Sequence, residues 1–229
     1  MRPLTTFSRL AAAVLVAAFS LVACGEDDGP STTASTATAP PPAEQPNALW
    51  PSPEEARHTM TPGDVARSFA EDFIGVRRPA LGEFQQGDSR SGEIAVMRRG
   101  ENGHPTQRVI ATIALRQLDG KRWFVIAAFS DEVEVTEPKL LEPVSSPVRI
   151  AGQGVGHEGN VVLRLHNAFD PEPLMQKAVI AGAMRHEPFE AELTFGTPVT
   201  AAGAIVARAA QPLAGSDAFA AFPIGFAAR

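Results

Sequence analysis

QRVIATIALRQLDGKRWFVIAAFS, residues 107–130, decides how this chain folds. β-branched and aromatic residues crowd both flanks of Asp119-Gly120, and Asp-Gly between two such runs is a strong signal for a two-residue hairpin turn. The first run predicts a strand up to Leu118. The second, residues 121–130, predicts a strand with Trp123, Val125, Ala127 and Phe129 on one face. Residues 93–98 alternate, with Ile94 and Val96 on one side, and give an earlier strand. Val133 and Val135 add a short one at the far end. A sheet with one apolar face needs cover, and the cover lies upstream.

Thr61, Pro62, Gly63 and Asp64 have the order of an N-cap, a proline at the first helical position and an acid three residues after the cap. Val65, Phe69 and Phe73, flanked by Ala66, Ala70 and Ile74, make one apolar stripe at helical spacing, and Gly75 can end the helix. The expectation for residues 61–137 is a small α+β domain, one helix on an antiparallel sheet of three or four strands.

Upstream of residue 61 the pattern changes. Residues 24–60 are acidic at first and then rich in Pro, Thr, Ser and Ala, with nothing periodic to bury, which predicts a disordered tether. Residues 1–23 carry Arg2 and Arg9, then the apolar run LAAAVLVAAFSLVA at 10–23, the pattern of a signal peptide and shorter than a bilayer-spanning helix needs. LVAC at 21–24 resembles the lipobox of bacterial lipoproteins. That resemblance implies cleavage before Cys24 and a diacylglycerol on its thiol. Cys24 is the only cysteine, so the chain can form no internal disulfide. Two acyl chains would hold it on a membrane, whereas one gives marginal binding.

Downstream, residues 137–147 read EPKLLEPVSSP, with three prolines and no periodicity, and mark a domain boundary. Residues 144–229 read as all β. Residues 148–152, 160–166 and 174–183 are strand candidates, and Phe189, Ala191, Leu193 and Phe195 line one face of an alternating strand. Residues 201–210 give another, with Ala204, Val206 and Arg208 opposite Ile205, Ala207 and Ala209. Short strands at this spacing predict a β-sandwich held by apolar packing alone.

Val144, Ser145, Ser146, Pro147, Val148 and Gly152, then Glu158, residues 160–164, Pro188, Phe189, Glu190 and Gly203, resemble the bacterial spore germination immunoglobulin-like domain found at the C-terminus of exported lipoproteins. The resemblance covers residues 144–226. His157 stands where an aromatic is usual, and residues 207–215 lack the common acidic late hairpin. Residues 61–137 are similar to the small region that precedes this domain in exported lipoproteins of high-GC Gram-positive bacteria, through Phe69, Phe73, Gly75, residues 87–90, Gly92, Glu93 and residues 123–125. The resemblance implies an immunoglobulin-like sandwich that binds or assembles at the cell envelope, and no reaction.

Charge agrees with that setting. The formal charge is −6 and loss of Arg2 and Arg9 with the leader makes it −8, which disfavours nucleic acid as a partner. Arg77, Arg78, Arg98 and Arg99 read as ordinary solvated surface.

Motifs that would imply catalysis fail on context. Gly154, Gly156 and Gly159 fit G-x-G-x-x-G, but residues 160–166 alternate as a strand where the dinucleotide fingerprint needs a helix. They read as a loop between strands, with positive φ at one or more of them. Ser89 follows Gly87-Asp88 as in some esterases, yet no Asp-x-x-His and no G-x-S-x-G occurs, so it reads as a turn residue. No H-E-x-x-H occurs. His157, His166 and His186 could meet across strands as a zinc site, and are otherwise solvated loop or strand-edge histidines, like His58 and His104. Glu71 with Asp72, and Glu132 with Glu134, read as solvent-exposed pairs. No catalytic residue, metal site or cofactor is expected. The expectation is a non-catalytic lipoprotein on the extracytoplasmic face of the membrane, bound through acylated Cys24 and contacting envelope proteins or glycan. Two other readings stand beside it: a carrier with a cavity between Val65, Phe69 and Phe73 and the sheet face of Trp123 and Val125, and an envelope hydrolase.

Overall fold

The computed structural model describes residues 47–118, 120–212 and 217–227. A capped helix opens the fold. Thr61 Oγ1 accepts from Asp64 N (3.2 Å) while Thr61 N donates to Asp64 Oδ2 (2.9 Å), so each end of the box satisfies a backbone donor that the helix leaves free. The backbone N–H and the hydroxyl of Thr61, both donating to Asp64 Oδ2, hold that carboxyl below its usual pKa. The helix, α1 (Pro62–Ser68), continues as a π-helical stretch, Phe69–Ile74, and ends at Gly75 with φ +86°. Val65, Ala66, Phe69, Ala70, Phe73 and Ile74 are all buried, as the stripe predicts.

Four antiparallel strands follow in order: β1 (Ala80–Asp88), β2 (Ser91–Arg99), β3 (Pro105–Leu118) and β4 (Arg122–Phe129). The β3–β4 hairpin is present, but Leu118 pairs with Arg122, so the connection holds three residues instead of two. Gly120 and Lys121 both take positive φ. The face expected for β4 is also corrected. Ala114 pairs with Ala127 and Leu115 with Val125, so Ile126 is a bulge residue that breaks the alternation. Because Ile113 and Leu115 share a face, their partners Ala128 and Val125 share one too, and Phe129 passes to the other side.

A larger β region comes next: β5 (Val133–Glu137), β6 (Pro143–Val144), β7 (Val148–Gly154), β8 (Asn160–Asn167), β9 (Pro173–Ile180), β10 (Glu187–Leu193), β11 (Ala202–Ala209) and β12 (Ala218–Phe226). One sheet has the order β10-β7-β5. β5 was expected to extend the first sheet and instead pairs with β7. The other sheet runs β1-β2-β3-β4-β12-β11-β8-β9, with β6 parallel to β12. The break expected at residues 137–147 is therefore bridged, because Ala128 of β4 pairs with Ala221 of β12. Further along β4 the entering chain replaces β12: Leu49 N donates to Val125 O and Val125 N to Trp50 O, both at 2.7 Å. All described residues belong to one compact unit.

The long sheet is apolar on both sides where it crosses β8, β11 and β12. Leu163, Leu165, Ile205 and Ala207 share one hydrophobic cluster with Val148, Ile150, Ala191 and Leu193 of the three-stranded sheet. Strand alternation turns Arg164, His166, Val206, Arg208 and Phe219 to the opposite side. There the helix meets them: Phe69 lies 6.5 Å from Phe219 and Phe73 lies 4.8 Å from His166, between ring centroids. Helical residues thus cover strands more than 90 positions downstream as well as their own sheet.

Candidate functional site

β5 is the outer strand of its sheet, with β7 on one edge and, among the described residues, no strand on the other. Beside that edge lies an open groove of about 480 Å³, its apolar part made by Phe129, Val133, Val135, Ala220 and Phe222. The β4 bulge puts Phe129 here, and it stays 56% exposed. The rim is polar. Gln153 Nε2 donates to Glu134 Oε2 (3.0 Å), and His186 Nε2 donates to the carbonyl of Asp131 (2.7 Å). An exposed aromatic, an apolar floor and unpaired backbone along one strand suit the addition of an extended segment, in which main-chain bonds give affinity and side-chain pockets give selectivity.

The groove's end is anchored by Glu132, which is only 7% exposed. Arg108 donates to Glu132 Oε1 through Nε (2.9 Å) and Nη2, and Gln211 Nε2 donates to Oε2 (2.5 Å). One carboxylate thus ties β3, the start of β5 and the loop after β11. Solvent exposure was expected for Glu132 and Glu134; Glu134 is exposed, and Glu132 is corrected to a buried tie. Nothing in its local sequence marks it, since its partners lie 24 and 79 positions away.

A second polar seam lies behind the helix. His166 is fully buried. Its Nδ1–H donates to the carbonyl of Asp170 (3.0 Å), and its Nε2 has no partner. Burial, helped by the charge of Arg164, lowers its pKa to about 4 against the pull of Asp170. Arg208 donates to the carbonyl of Ile74 (3.0 Å) and to Asp217 Oδ2 (2.9 Å), so it caps the helix end from across the sheet. The expectation of a solvated histidine is wrong for His166. Alternation correctly puts it opposite Leu163 and Leu165, but only the helix makes that side an interior.

The remaining candidates separate. His58, His104, His157 and His186 are exposed, and among the described residues no three His, Cys, Asp or Glu are grouped to hold a metal. Gly154, Gly156 and Gly159 lie at and after the end of β7, leading through a short 3₁₀ turn into β8 as a strand–loop–strand, with Gly159 at φ +74°. Ser89 lies in the β1–β2 turn, where Asp88 Oδ1 accepts from Arg90 N (2.7 Å). Glu71 and Asp72 are exposed on the helix. The face expected to bound a carrier cavity is occupied: Phe69 stacks on Phe73 at 5.4 Å and Trp50 lies 5.8 Å from Phe73. Cys24, the leader and residues 24–46 of the expected tether lie outside the described residues. Among the described residues no helix is long and apolar enough to cross a membrane.

Residues 132–216 match a protein family described as the immunoglobulin-like domain of bacterial spore germination. The match begins at Glu132, so it takes in β5 and the groove edge, and it stops before β12. No curated protein and no solved structure matches the chain.

Proposed function

We propose that this chain is a non-catalytic, lipid-anchored protein of the cell envelope. In this reading the strands from β5 to β12 form an immunoglobulin-like sandwich that binds an extended segment of an envelope protein along β5. The observation that carries it is the juxtaposition of half-exposed Phe129 with the free edge of β5, the strand at which the family match begins. Sheet pairing would supply the main-chain bonds. Phe129 and Phe222 would take an apolar side chain of the partner.

Anchoring rests on the sequence of residues 1–24. Acylation at Cys24 would hold the folded unit outside the cytoplasm on a spacer of 22 residues between Cys24 and Asn47. Metabolic labelling with an alkyne fatty acid, followed by fractionation, tests it. The wild-type chain is expected in the labelled membrane fraction and Cys24→Ala in unlabelled, soluble or unprocessed pools. Membrane partition unchanged by Cys24→Ala would remove the anchor from the proposal.

A further inference from the structure

The four arginines read from the sequence as ordinary surface come together in the fold. Ala80 of β1 pairs with Met97 of β2, which brings residues 77–79 alongside the end of β2. Arg99 Nε then donates to the carbonyl of Arg78 (2.7 Å) and its Nη1 to that of Gly103 (2.7 Å). Arg77, Arg78, Arg98 and Arg99 thus occupy one end of the sheet. Among the described residues, none of the four forms an ion pair with an acid.

The surrounding sequence is depleted of negative charge. Residues 75–80 contain no acid and residues 97–115 contain only Glu101, while Arg108 is already matched by Glu132. This occurs in a chain of formal charge −6, so the basic end is a local exception and not a consequence of composition. Val109, 44% exposed, sits opposite Met97 beside the arginines.

We propose that Arg77, Arg78 and Arg98 dock the folded unit onto the anionic headgroups of the membrane that carries it, with Arg99 positioning the loop of Arg78. Guanidinium groups fork onto phosphate oxygens and keep their charge at every physiological pH. The proposal rests on the anchor at Cys24, because that anchor keeps the patch near a bilayer. The 22 residues before Asn47 reach at most about 75 Å when extended, and tethering raises the effective concentration of a patch too weak to hold the surface alone. Each exposed arginine contributes roughly a fivefold preference for an anionic surface, so Arg77 and Arg78 together give about 25-fold, and half-buried Arg98 adds a smaller factor. Docking would fix which side of the protein faces away from the membrane and leave the groove beside β5 for a partner.

The test uses the mature chain from residue 24, coupled through its single cysteine to a maleimide lipid in vesicles. Hydrogen–deuterium exchange of residues 76–80 and 97–108 is compared on phosphatidylglycerol-containing and pure phosphatidylcholine vesicles. Several-fold slower exchange on the anionic vesicles is expected, lost at high salt and lost in Arg77→Gln/Arg78→Gln/Arg98→Gln. A circular-dichroism melt confirms that the variant folds, and a single Glu192→Gln variant, at an exposed position of β10 in the other sheet, should retain the protection. Equal exchange on both vesicles would overturn the proposal. So would protection by added soluble polyphosphate that exceeds protection by the anionic vesicles, because the patch would then serve a free polyanion. The coupled lipid replaces the native anchor, so a negative result counts against docking alone, whereas an error about Cys24 appears only in the fatty-acid labelling.

Discussion

Acidification should destabilise this fold through one side chain. His166 titrates near 6.5 when unfolded and near 4 when folded, because protonation would place a charge and an unsatisfied Nε2–H against Phe73. Above pH 6.5 neither state binds the proton and His166 contributes no pH dependence. As pH falls from 6.5 toward 4 the unfolded chain is protonated and the folded one is not, so stability is lost across that window and levels off below it. Linkage between these two values gives a loss of about 2.5 kcal/mol from pH 7.5 to 4.5, which for a unit of this size lowers Tm by about 5–10 °C. The assay is urea unfolding followed by tryptophan fluorescence at both pH values, with His166→Phe as the comparison. The quantity compared is each protein's change in stability with pH, whatever its starting stability. The depressed carboxyls of Asp64, Asp88 and Glu190 lose their contribution mainly below the window, as they protonate. Wild type and His166→Phe losing equal stability between pH 7.5 and 4.5 would refute the reasoning.

Other outcomes follow from specific contacts. Gly152→Ala should cost at least about 2 kcal/mol, since a Cβ there would overlap the carbonyl of Glu134 and the ring of Phe189 and force β5 off β7; chemical denaturation measures it. Thr61→Ala should cost about 1 kcal/mol by removing the cap at the helix start. A chain beginning at Glu132 should aggregate or fail to fold, because it exposes Phe219, Val206 and His166, all buried in the presence of the helix. Residues 47–229 should instead melt in one transition, and two resolved transitions would show that the halves are separable.

The helix, the hairpin and most strands of the second region were legible because each carries its own signal within ten or so residues: the Thr61–Asp64 box, the 65/69/73 stripe, Asp-Gly between β-branched runs, and the alternation of 189, 191, 193 and 195. β1 and β12 were not. β1 (ALGEFQQGD) is polar and Gly-containing on an edge. β12 (AFAAFPIGF) is buried on both faces, so alternation, the only local mark of a strand, is missing. The Ile126 bulge was invisible for the same reason: Trp123 to Phe129 is apolar throughout, and only pairing with β3 reveals the extra residue. The candidate site depended on these. Phe129 faces the groove because of the bulge, Phe222 lies on the unread strand, and β5 became a free edge only when it paired with β7. The arginine cluster likewise needed the β1–β2 register.

Partner binding at the β5 edge is tested most directly by replacing Phe129 with a photo-crosslinking amino acid in the intact, membrane-bound chain and irradiating whole cells. A discrete crosslinked species is expected, containing an extended peptide of an envelope protein, and lost when Val135→Pro blocks strand addition along β5. No crosslink at Phe129, or one that persists unchanged with Val135→Pro, would contradict a binding site built on that strand edge.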